Sequence, residues 1–378
     1  MNLLVTAMSS ATGPSGICRH ACNIVRCAAE MKGILKITLV VGKWQKAYFI
    51  TLLKRQNAKL VIVSVDIPNG AFARNFWYLK CLPNLAKDLD IDIVHLSFPV
   101  PIRRSLIQRP VIASLHDLYP YDEPNNFGFP KVFFNRVFLQ QCLKEVDCVC
   151  CVSEATLSRL KAHFPRLADG KVAVICNCVM LRDEESIPPT WIRCPFVLMV
   201  AQHRANKNIL LALRAFAELL QSSKVTKDTL LLLVGNEGPE TEVIKATIKQ
   251  MRLESSIKLL DSVTDGELRW FYENCELLIA PSLTEGFGLP VVEAAICGSR
   301  VVCSNIPAFR EVGGKSSHYF DLHAESGSSA MVQAICDALA EPIRRPEGLE
   351  RFSQQNVAKE YETLYTRLRE DFMRGTER

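Results

Sequence analysis

Residues 277–298 read LLIAPSLTEGFGLPVVEAAICG and predict a buried strand, a glycine turn and a helix in direct succession. The apolar run that opens the stretch is typical of a buried strand. Pro290 favours the first turn of a helix, where its missing N–H costs nothing, and Gly298 favours the helix end. Gly286 and Gly288 lie in the turn, where absent side chains allow backbone amides to approach a ligand closely. This arrangement predicts an anion site at the helix N-terminus.

Two carboxylates flank the glycine turn. Glu285 precedes the turn, and Glu293 is predicted to lie in the first turn of the helix. Carboxylates are poor ligands for phosphate but good acceptors for sugar hydroxyl groups. A nucleotide sugar fits both parts, with its diphosphate on the amides, its ribose on Glu293 and its sugar on Glu285. The alternative is an ordinary helix start whose carboxylates stabilise the helix dipole.

The rest of the chain alternates between strand-like and helical patterns. Apolar runs of strand length occur at 3–6, 37–41, 60–65, 93–96, 111–115, 146–152 and 172–175, and again at 196–201, 230–234, 257–260, 277–280 and 301–303. A proline-rich break at 182–194 separates the two series. This alternation predicts an α/β fold of two doubly wound, mostly parallel sheets. Because such sheets bind ligands beyond the carboxyl ends of their strands, two facing halves predict a cleft between domains.

Segment 285–294, EGFGLPVVEA, has seven residues between its two glutamates and closely resembles the signature of the retaining GT-B glycosyltransferases of family 4. The resemblance implies two Rossmann-like domains that face each other across a cleft. It implies an acceptor-binding domain at 1–185, a donor-binding domain at 190–354, and a closing helix at about 355–378 that packs back on the first domain. It also implies a front-face reaction in which a donor phosphate oxygen is the base, with no obligatory metal or other cofactor.

The same resemblance implies roles for individual residues. The positions that match the family's donor site are Gly16, Arg204, Lys207, Gly235, Glu285, Gly286, Phe287, Gly288, Leu289 and Glu293. The positions that match its catalytic groups are His116, Arg204, Lys207 and Glu285. Arg204 and Lys207 would neutralise the departing diphosphate, because fixed positive charge is a large catalytic contribution where no metal is present. A solvated basic loop is the alternative for this pair, and the match of Arg204 is the weaker one.

In the first half, the stretch 114–118 is similar to the family's His-Asp-Leu motif, whose histidine contacts the transferred sugar. This implies a catalytic role for His116, with Asp117 orienting its imidazole or a neighbouring loop. Residues 13–16 resemble the family's glycine-rich loop, which lies over the donor phosphates, and His20 shortly after them is either a further site residue or a packing histidine. The long segment 119–130 is predicted to be an acceptor loop, since long loops in compact domains are usually functional.

Composition limits the class of protein further. The chain has 378 residues, of which 48% are hydrophobic, and a formal net charge of +5. No apolar run reaches the length of a membrane-spanning helix. Residues 1–185 carry a net charge of +8, which suits an anionic membrane surface or acceptor but is too modest to indicate nucleic acid. Segments 43–55 and 75–80 and the pair Arg103-Arg104 mix basic and aromatic residues, as in membrane-interface helices or in helices whose aromatics reach the core.

The sequence therefore predicts a cytoplasmic enzyme, with a position at the inner face of the cytoplasmic membrane left open. It is expected to transfer a hexose of mannose or glucose type from a nucleotide-diphosphate sugar to a glycan or lipid-linked acceptor, in polysaccharide or lipopolysaccharide synthesis. Two alternatives remain: a GT-B sugar-nucleotide epimerase or hydrolase, and a non-catalytic nucleotide-sugar-binding protein. An incubation with donor but without acceptor distinguishes the first alternative from a transferase.

Overall fold

The computed structural model describes most of the chain, namely residues 1–12, 15–53, 58–122, 130–168, 170–181, 185–261, 263–324, 327–343 and 346–376. The chain divides into two compact units. Unit 1 comprises Met1–Cys178 together with Glu350–Arg378, and unit 2 comprises Val179–Leu349. The boundaries therefore lie at 178/179 and 349/350, several residues before the ends of the predicted domains.

Unit 1 is built on a parallel sheet covered by helices. Its strands are β1 (Asn2–Thr6), β2 (Lys36–Gly42), β3 (Leu60–Val65), β4 (Ile93–Leu96), β5 (Val111–Leu115), β6 (Cys148–Cys151) and β7 (Val172–Val174). Its helices are α1 (Gly16–Glu30), α2 (Lys46–Leu52), α3 (Ala71–Lys80), α4 (Leu82–Asp88), α5 (Tyr119–Asp122), α6 (Lys131–Glu145), α7 (Glu154–His163) and α8 (Pro165–Ala168). The described strands pair in the order β3-β2-β1-β4-β5-β6-β7. The central strands are mostly apolar because both faces of the sheet are covered, with His95 in β4 and Ser114 in β5 among the buried polar exceptions.

Unit 2 repeats this plan. Its strands are β8 (Phe196–Val200), β9 (Leu230–Val234), β10 (Ile257–Leu260), β11 (Leu277–Ala280), β12 (Val301–Ser304) and β13 (His318–Phe320). Its helices are α9 (Ile209–Gln221), α10 (Thr241–Gln250), α11 (Asp265–Asn274), α12 (Leu289–Cys297), α13 (Pro307–Gly313) and α14 (Gly327–Ala340). The described strands pair in parallel in the order β10-β9-β8-β11-β12-β13.

The predicted α/β class with two doubly wound sheets is confirmed. In each sheet the strand order reverses at one point, between β1 and β4 in unit 1 and between β8 and β11 in unit 2. Ligands of open α/β sheets bind beyond the carboxyl ends of the strands at this reversal. The edge strand β13 was not predicted, because its three residues are His-Tyr-Phe and lack the aliphatic run that marks the equally short β7.

A long C-terminal helix, α15 (Gln354–Thr376), belongs to unit 1 and packs on α1. Gln354 Nε2 donates to the backbone carbonyl of Arg26 at 2.9 Å, close to the end of α1. Further along, the Arg369 guanidinium pairs with Asp92 at 3.2 Å. Its side chains Tyr361 and Tyr365 are buried. α15 therefore completes the core of unit 1, although the chain reaches it only after the last helix of unit 2.

The basic and aromatic segments of unit 1 divide between core and surface. Phe49, Trp77 and Tyr78 are buried, as the core interpretation expects. On α3, however, Phe72 and Phe76 lie one helical turn apart and are 86% and 53% exposed. Across the part of the chain that the structure describes, no helix combines the length and the apolar character needed to span a bilayer.

Candidate active site

The strand reversal in unit 2 brings together two loops that are distant in the chain. β8 is followed by a short turn at Ala205–Lys207, and β11 is followed by the glycine turn. Lys207 Nζ lies 2.5 Å from Glu285 Oε1, and Ser282 Oγ donates to the same oxygen at 2.7 Å. Only 19% of the Lys207 side chain and 10% of the Glu285 side chain are exposed. Two residues predicted to serve the donor site are therefore in direct contact.

The buried Asn206 holds these two loops together. Its backbone carbonyl accepts from the N–H of Leu283 at 2.8 Å, and its side-chain amide donates to the carbonyl of Thr284 at 3.4 Å. These contacts fix the backbone on both sides of the ion pair. Sequence reasoning did not single out Asn206, because a polar residue between Ala205 and Lys207 is equally typical of a solvated loop.

The glycine turn leads into α12 in a conformation that only glycine adopts easily. Gly288 is the N-cap residue with φ +102°, and a Cβ atom there would lie 2.8 Å from the ring of Phe309. Gly286 and Phe287 are buried, and Leu289 is the partly exposed first residue of the helix. The predicted helix limits are confirmed, since Pro290 lies in the first turn and Gly298, with φ +84°, is the C-cap. The N-terminal amides of α12 are thus not covered by a side chain at position 288.

Glu293 lies in the second turn of α12, so its predicted place in the first turn was wrong. The helix begins one residue before Pro290, at Leu289, which moves Glu293 further from the terminus. The hydroxyl of Tyr272, on α11, donates to Glu293 Oε2 at 2.8 Å. Burial and the adjacent carboxylate raise the pKa of Tyr272 well above its usual range. A carboxylate stabilises the helix dipole from the first turn, so the second-turn position of Glu293 does not suit that role. A carboxylate oriented by a hydrogen bond is better suited to contact a ligand.

Two other predicted donor residues lie in the neighbouring loops. Gly235 follows β9, and a Cβ atom at this position would collide with the carbonyl oxygen of Ala201. Arg204 is partly exposed at the start of the turn that carries Lys207. Among the described residues, none forms a hydrogen bond or ion pair with its guanidinium group. Arg204 is therefore a cation that a bound anion can approach, whereas Lys207 is held in an ion pair with Glu285.

In unit 1, His116 follows the carboxyl end of β5. Its Nε2 lies 2.8 Å from the carbonyl oxygen of Ser97. A carbonyl only accepts, so Nε2 carries the ring proton and Nδ1 keeps its lone pair. Burial lowers the pKa of His116, which favours this neutral form. The Asp117 carboxylate accepts from the N–H of Tyr119 at 3.1 Å and so supports the adjacent turn.

His20 is buried and packs edge-on against His116, with ring centroids 4.4 Å apart and an interplanar angle of 87°. Gly16 is the exposed first residue of α1, whose N-cap Ser15 accepts from the N–H of Cys18 at 3.3 Å. Gly13 and Pro14 of the same predicted loop lie outside the described residues, as does 123–129 of the predicted acceptor loop. Structure therefore adds His20 to the surroundings of His116 and tests the loops only in part.

No cluster of three or more His, Cys, Asp or Glu side chains that could hold a metal ion occurs in the described ranges. The site instead concentrates one paired lysine, one arginine, two oriented carboxylates and a helix N-terminus. Such a set can bind a phosphate group and the hydroxyl groups of a sugar.

Two protein families match the chain. The family described as glycosyltransferase family 4 matches residues 14–182, and the family described as glycosyl transferases group 1 matches residues 193–356. The chain belongs to glycosyltransferase family 4. This glycosyltransferase has the GT-B fold of two Rossmann-like domains. The predicted cleft between the domains and the individual site roles stay predictions.

Among similar curated proteins are two bacterial enzymes. The chain is 26% identical to O-antigen chain mannosyltransferase B of Escherichia coli over 270 residues, covering 67% of this chain and 69% of that protein. It is 23% identical to O-antigen chain mannosyltransferase RfbU of Salmonella typhimurium over 252 residues, covering 66% of each. The alignments thus span about two thirds of these relatives.

Solved structures show the same fold at low sequence identity. Sucrose-phosphate synthase from Thermosynechococcus elongatus has a TM-score of 0.72 at 16% identity, covering 97% of this chain and 99% of that one. Anabaena HepE in complex with UDP and glucose has a TM-score of 0.67 at 16% identity, covering 100% and 99%. At this level of identity the two comparisons show the fold.

Proposed function

We propose that this glycosyltransferase moves a hexose of mannose or glucose type from a nucleotide-diphosphate sugar to a glycan or lipid-linked acceptor, with retention of the anomeric configuration. The names of the Escherichia coli and Salmonella relatives support an acceptor in polysaccharide or lipopolysaccharide synthesis. The complex of HepE with UDP and glucose supports a nucleotide-sugar donor.

The Lys207–Glu285 ion pair beside the N-terminus of α12 carries the proposal. Cleavage of the bond between the sugar and the diphosphate transfers negative charge to the departing phosphate oxygen. Lys207, Arg204 and the N-terminal amides of α12 are suited to stabilise that charge, since preorganised charge and dipoles cost no reorganisation during the reaction. Because these groups already supply positive potential, we expect no obligatory metal and no other cofactor.

The two carboxylates would bind opposite ends of the donor. Glu285, which is paired with Lys207, would accept a hydroxyl of the transferred sugar. Glu293, oriented by Tyr272, would accept a hydroxyl of the ribose. In unit 1 the Nδ1 lone pair of His116 is an acceptor for a further sugar hydroxyl, in keeping with the family's histidine. A donor phosphate oxygen would then act as the base in a front-face reaction.

One experiment tests the reaction as a whole. The purified chain is incubated with a panel of GDP- and UDP-sugars, with and without a lipid-linked glycan acceptor and with and without EDTA, and nucleoside diphosphate release is measured. We expect release that requires acceptor, persists in EDTA and gives a product of retained configuration by NMR. Conversion without acceptor would instead indicate the epimerase or hydrolase, and binding without turnover would indicate a non-catalytic protein. An inverted product would contradict the retaining mechanism.

We also propose peripheral contact with an anionic membrane, at the cytoplasmic face where lipid-linked acceptors are available. Phe72 and Phe76 form an exposed apolar face on α3, and Arg74 and Lys80 lie on the same helix. Aromatic side chains in the headgroup region combined with basic residues are typical of interfacial helices. The net charge of +8 in residues 1–185 favours the same surface.

A further inference from the structure

Unit 1 contains a continuous chain of hydrogen bonds between buried polar side chains that the proposed reaction does not use. The hydroxyl of Tyr365, on α15, lies 2.6 Å from His95 Nδ1. His95 Nε2 lies 2.9 Å from Ser114 Oγ, and Ser114 Oγ lies 2.9 Å from His20 Nε2. Tyr365, His95 and Ser114 are fully buried, and His20 is 5% exposed. Buried polar groups are costly unless they are satisfied, so a complete chain of this kind specifies one arrangement.

The direction of each bond follows from the proton inventory. Among the described residues the Tyr365 hydroxyl has His95 as its hydrogen-bond partner, so the phenolic proton is satisfied only if it is donated to His95 Nδ1. His95 is then protonated on Nε2 and donates to Ser114. The serine hydroxyl, having accepted from one imidazole, donates its single proton to His20 Nε2. His20 therefore carries its own proton on Nδ1.

His95 and His20, the two histidines of the hydrogen-bonded chain, are held neutral. Burial lowers the pKa of His95 to about 3, with a smaller contribution from His116. Burial and the neighbouring His116 and His95 also lower the pKa of His20 well below its usual value. A neutral imidazole has one donor and one acceptor nitrogen, so each ring keeps a single direction of hydrogen bonding along the chain. What it can provide is a fixed orientation and a fixed tautomer.

The hydrogen-bonded chain ends at His20, which packs against His116. The rings of His20 and His116 meet edge-on with their centroids 4.4 Å apart, and His116 Nε2 donates to the carbonyl of Ser97. We propose that Tyr365, His95, Ser114 and His20 are positioning residues that hold the His116 imidazole in one orientation for the reaction. The inference rests on the proposed function of His116 as a contact of the transferred sugar. In this proposal, the C-terminal helix α15 affects the active site through the hydroxyl group of Tyr365.

The test removes that hydroxyl group alone. In Tyr365→Phe the ring is kept, but His95 Nδ1 loses its donor, so the chain has no preferred direction. Imidazole 15N NMR of the wild-type chain without ligand is expected to show His20 protonated on Nδ1 and His116 on Nε2. In Tyr365→Phe we expect the His20 signals to shift towards a mixture of tautomers, kcat to fall about tenfold, and the donor KM to stay within about twofold.

Tyr78→Phe is the matched control. Tyr78 is equally buried in unit 1, and its hydroxyl donates to the carbonyl of Met8 at 3.1 Å, outside the chain. This variant is expected to lose comparable stability with unchanged histidine signals and kcat. Unchanged spectra in Tyr365→Phe, or equal losses of kcat in both variants, would overturn the proposal. The spectra need no substrate, so they distinguish this failure from absence of turnover with every nucleotide sugar, which would contradict the proposed function.

Discussion

Lys207 and Glu285 are 78 positions apart in the chain, yet their charged groups lie 2.5 Å apart in a largely buried ion pair. Removing one member of such a pair leaves the other charge uncompensated, which is destabilising. The pair therefore serves two purposes in the proposed mechanism. It holds both side chains in place before the donor binds, and it keeps a lysine ready to neutralise the diphosphate.

Lys207→Ala is expected to depress kcat by about 10²- to 10³-fold, because it removes a fixed charge at the leaving group. Steady-state kinetics with varied donor measures the effect. Lys245→Ala is the control, since Lys245 forms an exposed pair with Glu237 at 2.8 Å. Solvent-exposed pairs contribute little to stability, so this variant should match the wild type. A wild-type kcat in Lys207→Ala would refute the assigned role.

Glu293→Ala is expected to raise the donor KM about tenfold or more with a smaller change in kcat. The variant loses a hydrogen bond to a charged group both in the enzyme–donor complex and in the transition state, so binding is weakened more than the chemical step. Tyr272→Phe, which keeps the carboxylate but removes its hydroxyl partner, should raise KM less. Glu273→Ala is a suitable control, since Glu273 pairs with Arg269 on the helix that carries Tyr272. If the wild type and the three variants all have the same donor KM, Glu293 does not bind the ribose.

Gly288→Ala is expected to destabilise the chain by more than Gly298→Ala. Both residues have positive φ, +102° and +84°, so each alanine costs about 1 kcal/mol in backbone strain. At Gly288 the added Cβ also meets the Phe309 ring, whereas at Gly298 it meets no atom within 4 Å. Overpacking adds about 1–3 kcal/mol. Urea unfolding of both variants measures the difference, and equal losses would show that the ring contact is unimportant.

The free energy of unfolding is expected to fall as the pH drops from about 6.5 towards 3. The pKa of His95 is about 3 in the fold against 6.5 for an ordinary histidine. In that window the unfolded chain binds a proton that the native chain does not, which favours unfolding by up to about 1.4 kcal/mol per pH unit. His95→Gln should flatten this slope, measured by denaturant unfolding at several pH values. An unaltered slope would show that other groups govern acid unfolding.

Phe72→Ser with Phe76→Ser is expected to reduce binding to vesicles that contain anionic lipid at least several-fold, because the exposed apolar face of α3 is removed. Co-sedimentation with anionic and zwitterionic vesicles measures it. Leu35→Ser is the control, as Leu35 is 73% exposed but lies outside any helix. If the double variant binds as the wild type does, the contact does not involve α3.

Local patterns in the sequence determined the elements that need no distant partner. Buried strands followed from apolar runs, and the limits of α12 followed from Pro290 and Gly298, because the signals for these features lie within a few residues of each other. Doubly wound sheets followed from the alternation of strands and helices. The glycine turn at 286–288 was likewise evident, since it joins a strand to a helix directly.

Only the tertiary structure decided which side chains meet. Tyr272 reads in the sequence as a core position of an amphipathic helix, and its bond to Glu293 depends on how α11 packs beside α12. His95 lies within an apolar strand and Tyr365 within a helix 270 positions away, and their contact depends on α15 covering the sheet of unit 1. Periodicity reports which face of an element is buried. It does not report which element covers that face. The covering element determines which buried groups form hydrogen bonds with each other.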